Sequence, residues 1–139
     1  MADNPHRPRA TNRPLSPFVS IYRWQVTMAA SITHRVTGMA LAAGTLLLAW
    51  WLIAAASGPD AYAVFQHAAA TPLGWLVLFG FVWALTFHLL NGIRHLAWDL
   101  GYGFSLPAAN TTGVLVYVLS ILIAVAVFAY AFHLSGARV

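Results

Sequence analysis

A chain of 139 residues has room for one domain. It is 60% hydrophobic and only 7% charged, against about 25% charged in soluble globular chains, so its composition is that of a membrane protein. With no cysteine it supplies no disulfide, thiolate metal site or iron–sulfur cluster, and its net charge of +4, carried by arginine without lysine, acts as a topology signal rather than a nucleic-acid surface.

Residues 1–22 are polar and contain Pro5, Pro8, Pro14 and Pro17. Proline blocks helix interiors, so an extended arm is expected here, without the apolar core of a secretory signal. Asp3 and the early prolines argue against a mitochondrial transit peptide and favour a bacterial inner membrane. The membrane-embedded part, 23–139, contains three apolar stretches of at least the ~20 residues that a ~30 Å hydrocarbon core requires. They run over about 27–56, 72–98 and 112–133. The first ends at Ser57-Gly58-Pro59-Asp60, the second at Asp99 and Gly101-Tyr102-Gly103. The fold class expected is therefore an all-α, multi-pass membrane protein with three transmembrane helices. Arg7, Arg9, Arg13, Arg23 and Arg35 precede or open the first span, and Arg94 closes the second. The positive-inside rule then places the N-terminus in the cytoplasm and the C-terminus outside. On that reading the segment holding Asp60 and His67 is an outer loop.

The first span opens with Ser31-Ile32-Thr33-His34-Arg35-Val36-Thr37-Gly38. Ser31 and Arg35, four residues apart, share a helix face, with His34 about 100° to one side of Arg35. A hydroxyl, a guanidinium and an imidazole at the membrane boundary suit anionic or carbonyl-bearing ligands. Plainer roles stay open: a positive-inside anchor for Arg35, and for Ser31 a bond to a carbonyl of its own helix.

The second span carries His88 in otherwise apolar surroundings. An ionisable group at that depth is a functional-site hypothesis by default, and neutral imidazole is a common transition-metal ligand. Asn91, Gly92 and His95 follow at helical spacing, with Ala84 and Gly80 before, giving a shallow groove of small residues around an imidazole. His88 lies eleven residues from Asp99, about 16 Å deeper at ~1.5 Å per residue. Counted this way, His34 and His95 stay near the cytoplasmic edge and no other histidine shares the level of His88. A bis-histidine haem would then need its second ligand from another polypeptide or from a second copy of this one.

Both polar stretches resemble the family of large membrane-anchor subunits of succinate dehydrogenase (respiratory complex II), the cytochrome b556 subunits. That family pairs Arg-Pro with Ser-x-x-His-Arg-x-Ser/Thr-Gly, here Arg13-Pro14 and Ser31 to Gly38, and adds His-x-x-x-Gly-x-Arg-His-x-x-x-Asp-x-Gly, here His88, Gly92, Arg94, His95, Asp99 and Gly101. Many relatives carry histidine where this chain has Phe18. The resemblance implies a heteromeric helix bundle with a flavoprotein, an iron–sulfur subunit and a small haem-binding anchor as partners, and no nucleic acid. It implies that His88 is the axial ligand of a haem b shared with the small anchor, so that the metal residue of this chain is His88. It further implies that Ser31 and Arg35 belong to a ubiquinone site, and that His34, Arg35 and His95 face haem propionates. Two other readings are a haem-free structural anchor and a proton-translocating subunit. The latter calls for an acidic residue inside the spans, and there is none. A fumarate reductase anchor with two haems would need more deep histidines.

Overall fold

The computed structural model describes residues 22–136, and nearly all of them are helical. The order is α1 (Val26–Ser57), α2 (Pro59–Ala69), α3 (Pro72–Asp99) and α4 (Leu106–Gly136). Three of these helices are long and apolar enough to cross a membrane: Val26–Ser57, Pro72–Asp99 and Leu106–Leu134. The arm expected over 1–22 lies, except for Tyr22, outside the described residues. The third long helix starts six residues before the apolar run expected at 112, because Pro107 fits a first helical turn, where its missing N–H has no intrahelical partner to lose.

Sequence chemistry accounts for each boundary. At the junction of α1 and α2, Gly58 adopts φ 111° and Pro59 begins the next helix. Thr71 caps α3, its hydroxyl oxygen accepting from the Gly74 N–H at 3.0 Å, and Pro72 follows at the first helical position. The α3 C-terminus is a Schellman turn. Tyr102 N–H donates to Ala97 O at 3.0 Å and Gly101 N–H to Trp98 O at 2.8 Å, with Gly101 at φ 87°.

The segment expected as an outer loop is instead the eleven-residue helix α2. Pro59 opens it, Asp60 sits in its first turn where it complements the helix dipole, and Phe65 packs edge-on against Trp50 of α1 at 5.0 Å. Short apolar–polar mixing hid it from a search tuned to membrane-length runs.

The three long helices alternate in direction. Ascending positions of α1 (His34, Thr37, Gly44) meet descending positions of α3 (His95, His88, Phe81). Likewise Arg94, Thr86 and Phe79 of α3 meet Thr112, Ser120 and Phe128 of α4. The bundle is inverted relative to a soluble protein. Thr37, Asn91, Arg94 and Ser120 are buried, whereas Leu46, Ile53, Leu76 and Leu122 face outward. Only a solvent of hydrocarbon, or apolar partner helices, makes that arrangement favourable.

Candidate functional site

The site lies between α1 and α3, at the end of the bundle where α1 begins and α3 finishes. Two close approaches bring the helices together. A Cβ on Gly44 would run into the Phe81 ring, and a Cβ on Gly38 would meet His88 Cε1 at 3.0 Å. Glycine at both positions lets the α3 side chains lie against the α1 backbone.

His88 is held by its Nδ1. That nitrogen lies 3.1 Å from His34 O and 3.3 Å from Thr37 Oγ1. A carbonyl oxygen only accepts, so the proton sits on Nδ1 and donates to it. Nε2 then carries a lone pair, and among the described residues it has no hydrogen-bond partner. That is the form in which histidine binds a metal, with its other nitrogen fixed by a second-shell acceptor. His95 is set the same way, its Nδ1–H donating to Asn91 O at 2.7 Å.

The depth reckoning from sequence is corrected here. The His34 ring stacks on His88 with centroids 3.9 Å apart and planes inclined by 11°, and lies 5.1 Å from His95 at 16°. Three imidazoles form a ladder. Spacing along α1 does not fix its axial offset against α3: the helix begins at Val26, eight residues before His34, or about 12 Å at ~1.5 Å per residue, and the stacked rings put His34 at the level of His88. Its Nδ1 is buried and has no hydrogen-bond partner among the described residues.

A second imidazole at this level does not supply a second axial ligand. Two rings face to face at 3.9 Å leave no room for a porphyrin plane between them. Nor do parallel rings aim their nitrogens at one point, and among the described residues no group of three His, Cys, Asp or Glu side chains is placed to hold a metal ion. The donor set fits one axial imidazole and a partner ligand from outside the described residues.

Ser31 is half-buried and Arg35 is exposed. Thr37, Thr45, Thr86, Thr112 and Ser120 all bond a carbonyl of their own helix. Ser31 has no such bond among the described residues, so the plainer role left open for it is not adopted. Arg35 likewise has no hydrogen-bond or ionic partner among them.

Arg94 corrects the sequence in the opposite sense. Grouped there with the arginines that mark topology, it is 7% exposed and turned inward. Its Nε donates to Thr112 Oγ1 at 3.0 Å, one terminal nitrogen to Ala109 O at 2.9 Å and the other to Asn91 Oδ1 at 3.3 Å. The guanidinium carbon lies 4.0 Å from the Trp98 ring centroid. Asn91, fully buried, is thereby turned toward Arg94 and out of the groove, while Gly92 and Gly80 keep open space where a side chain would be. The clue in sequence was the i, i+3 and i, i+4 placement of Asn91 and Trp98 around Arg94.

Next to Thr37, a cleft of about 460 Å³ runs along α1 and α3, lined by Ala40, Ala43, Gly80, Trp83 and Ala84 among others. The Trp83 indole Nε1 is buried without a hydrogen-bond partner.

Comparison with known proteins agrees with the chemistry. The family model of the succinate dehydrogenase/fumarate reductase transmembrane subunit matches residues 9–135. The chain is 42% identical over 114 residues to the succinate dehydrogenase cytochrome b556 subunit of Paracoccus denitrificans, covering 82% of this chain and 88% of that one. It is 46% identical over 111 residues to the corresponding subunit of Rickettsia felis, covering 80% and 86%. The mitochondrial cytochrome b560 subunit of Sus scrofa is 41% identical over 114 residues, covering 81% and 68%.

Proposed function

Since this chain belongs to the succinate dehydrogenase/fumarate reductase transmembrane-subunit family, we propose that it anchors a succinate:ubiquinone oxidoreductase, gives one axial ligand to a haem b shared with a small anchor subunit, and forms part of the ubiquinone-reduction site. The observation that carries this reading is His88 itself: an imidazole deep in an apolar helix, fixed through Nδ1 and offering Nε2. When bound, haem b supplies a one-electron carrier beside the quinone. His88 would hold it, and His34, Arg35 and His95 would meet its propionates; the stacking of the His34 ring on His88 and beside His95 supports this reading for the histidines.

Succinate oxidation belongs to the flavoprotein and iron–sulfur partners, since this chain has no cysteine for a cluster. Its own part is at the quinone. The hydroxyl of Ser31 donates to a quinone carbonyl oxygen, and the Arg35 guanidinium stabilises negative charge as it develops there. Two protons enter for each quinone reduced. On the arginine distribution, Ser31 and Arg35 belong to the cytoplasmic half of a bacterial inner membrane, on the side where the soluble partners dock.

The test uses the assembled complex. Ser31→Ala and Arg35→Ala lower quinone reduction by about 100- to 1000-fold, the range for losing one oriented donor at a reacting oxygen. Succinate oxidation with an artificial acceptor stays near its original rate. Equal loss in both assays removes the quinone role and leaves an assembly defect.

A further inference from the structure

The signature around His34 contains a hydroxyl residue whose purpose neither the haem ligand nor the quinone site explains. Thr37 is 2% exposed. Its Oγ1 lies 2.8 Å from Thr33 O and 3.0 Å from His34 O, both acceptors, so its single proton goes to these carbonyls. The lone pairs that remain face His88 Nδ1 at 3.3 Å. Thr45 of the same helix also bonds a carbonyl, Ala42 O at 2.6 Å, but it is exposed. Thr37 alone among the helix-bonding threonines reaches a ring nitrogen on another helix.

We propose that Thr37 is a positioning residue for the axial ligand: with the His34 carbonyl it accepts the Nδ1–H of His88, fixes which ring nitrogen faces the iron, and raises the basicity of that nitrogen. The proposal rests on the haem reading above and deepens it. The N–H of His88 has two acceptors within reach, and one of them, Thr37 Oγ1, is polarised by the proton it donates onward, which strengthens it as an acceptor. Acceptors on the outer nitrogen of a ligating histidine orient the ring and increase its electron donation. Greater donation favours the oxidised metal and holds the reduction potential down. Gly38, next in sequence, completes the seat: its missing side chain leaves His88 Cε1 in place.

The experiment is redox titration of the haem in the assembled complex carrying Thr37→Val, Thr37→Ala or Thr37→Ser, with Thr45→Val as the control. Valine keeps the shape and removes the hydroxyl; alanine cannot clash; serine restores the hydroxyl. The expected result is a higher midpoint potential for the valine and alanine variants, and a potential near the original for serine and for Thr45→Val. A role confined to packing predicts the reverse ranking, with valine closest to the original. Loss of haem from the valine and alanine variants, with all subunits still assembled and serine retaining haem, also supports the proposal. Haem present at an unchanged potential in Thr37→Val and Thr37→Ala overturns it while leaving the haem reading intact. An unsubstituted complex without haem overturns both.

Discussion

The two ends of the bundle are built from the same three long helices and differ in what lies between them. Where α1 begins and α3 ends, the interior is polar: Thr37, His34, His88, Asn91 and Arg94, with His88 bonded across to α1, Arg94 bonded across to α4, and Asn91 bonded to Arg94 within α3. Where α1 runs into α2 and α3 begins, the contacts are rings on rings, with Trp50 against Phe65 and both Trp75 and Phe79 against Phe128. Aromatic packing is what a bundle in lipid needs for cohesion. Polar groups at comparable depth are costly there unless satisfied, so a cluster in which His88 Nε2 has no hydrogen-bond partner among the described residues is arranged for something beyond cohesion.

If that division is right, substitutions at the polar end should change spectra and redox behaviour, and those at the apolar end only stability. The largest effect expected is from His88→Ala. The low-spin haem absorption of the assembled complex should disappear from a reduced-minus-oxidised spectrum, while the subunits still co-purify. An unchanged spectrum would falsify His88 as ligand. Next is Arg94→Ala, which strips the donor from Asn91 Oδ1 and leaves Ala109 O with Thr112 Oγ1 as its side-chain donor. A buried acceptor left unsatisfied costs about 1–3 kcal/mol, so the solubilised complex should melt a few degrees lower. Arg94→Lys should recover little of it, because one ammonium cannot reproduce three directed bonds and a planar contact with Trp98. A melting temperature unmoved by Arg94→Ala contradicts the clamp between α3 and α4.

How much of this was legible in the sequence differs between the same two ends. The long helices were, because an apolar run of membrane length has few other uses, and the Gly101 stop was, because a Schellman turn asks for glycine. The residues that matter at the polar end, His88, His34, Ser31 and Arg35, stood out as exceptions in apolar surroundings. Their relative heights did not. Sequence fixes spacing along one helix but not the axial offset between two, and the His34–His88 stack is set by that offset. The inward turn of Arg94 was hidden for a related reason: an arginine near a helix end satisfies a topology rule and an interhelical clamp equally well until Thr112 and Ala109 are seen opposite it. Helix α2 escaped because eleven residues of mixed polarity match neither a span nor an obvious turn.

Gly44→Ala probes packing away from the ligand. The added methyl meets the Phe81 ring, and forcing an extra carbon into a packed contact costs about 1–3 kcal/mol. Thermal stability should fall by that amount while the haem spectrum and potential stay as they were. A displaced spectrum would mean that Phe81 and His88, both on the α1-facing side of α3, move together.

The smallest effect expected is from Thr71→Ala, at the far corner. Thr71 Oγ1 accepts from Gly74 N–H at 3.0 Å and donates to Ala68 O at 2.7 Å, joining the end of α2 to the start of α3. Removing an N-cap hydroxyl costs about 0.5–2 kcal/mol. The lower part of that range applies, because Thr71 is exposed and water can replace both partners. Pro72 also lessens the damage, having no N–H to leave uncapped. Hydrogen exchange should quicken at Gly74 N–H, with quinone reduction and the haem potential unaltered. This is the strictest test of the division, since the cap is separated from His88 by most of α3. If so mild a change at Thr71 shifted the haem potential, the helix would be transmitting axial displacement along its whole length, and the two ends could no longer be treated as independent.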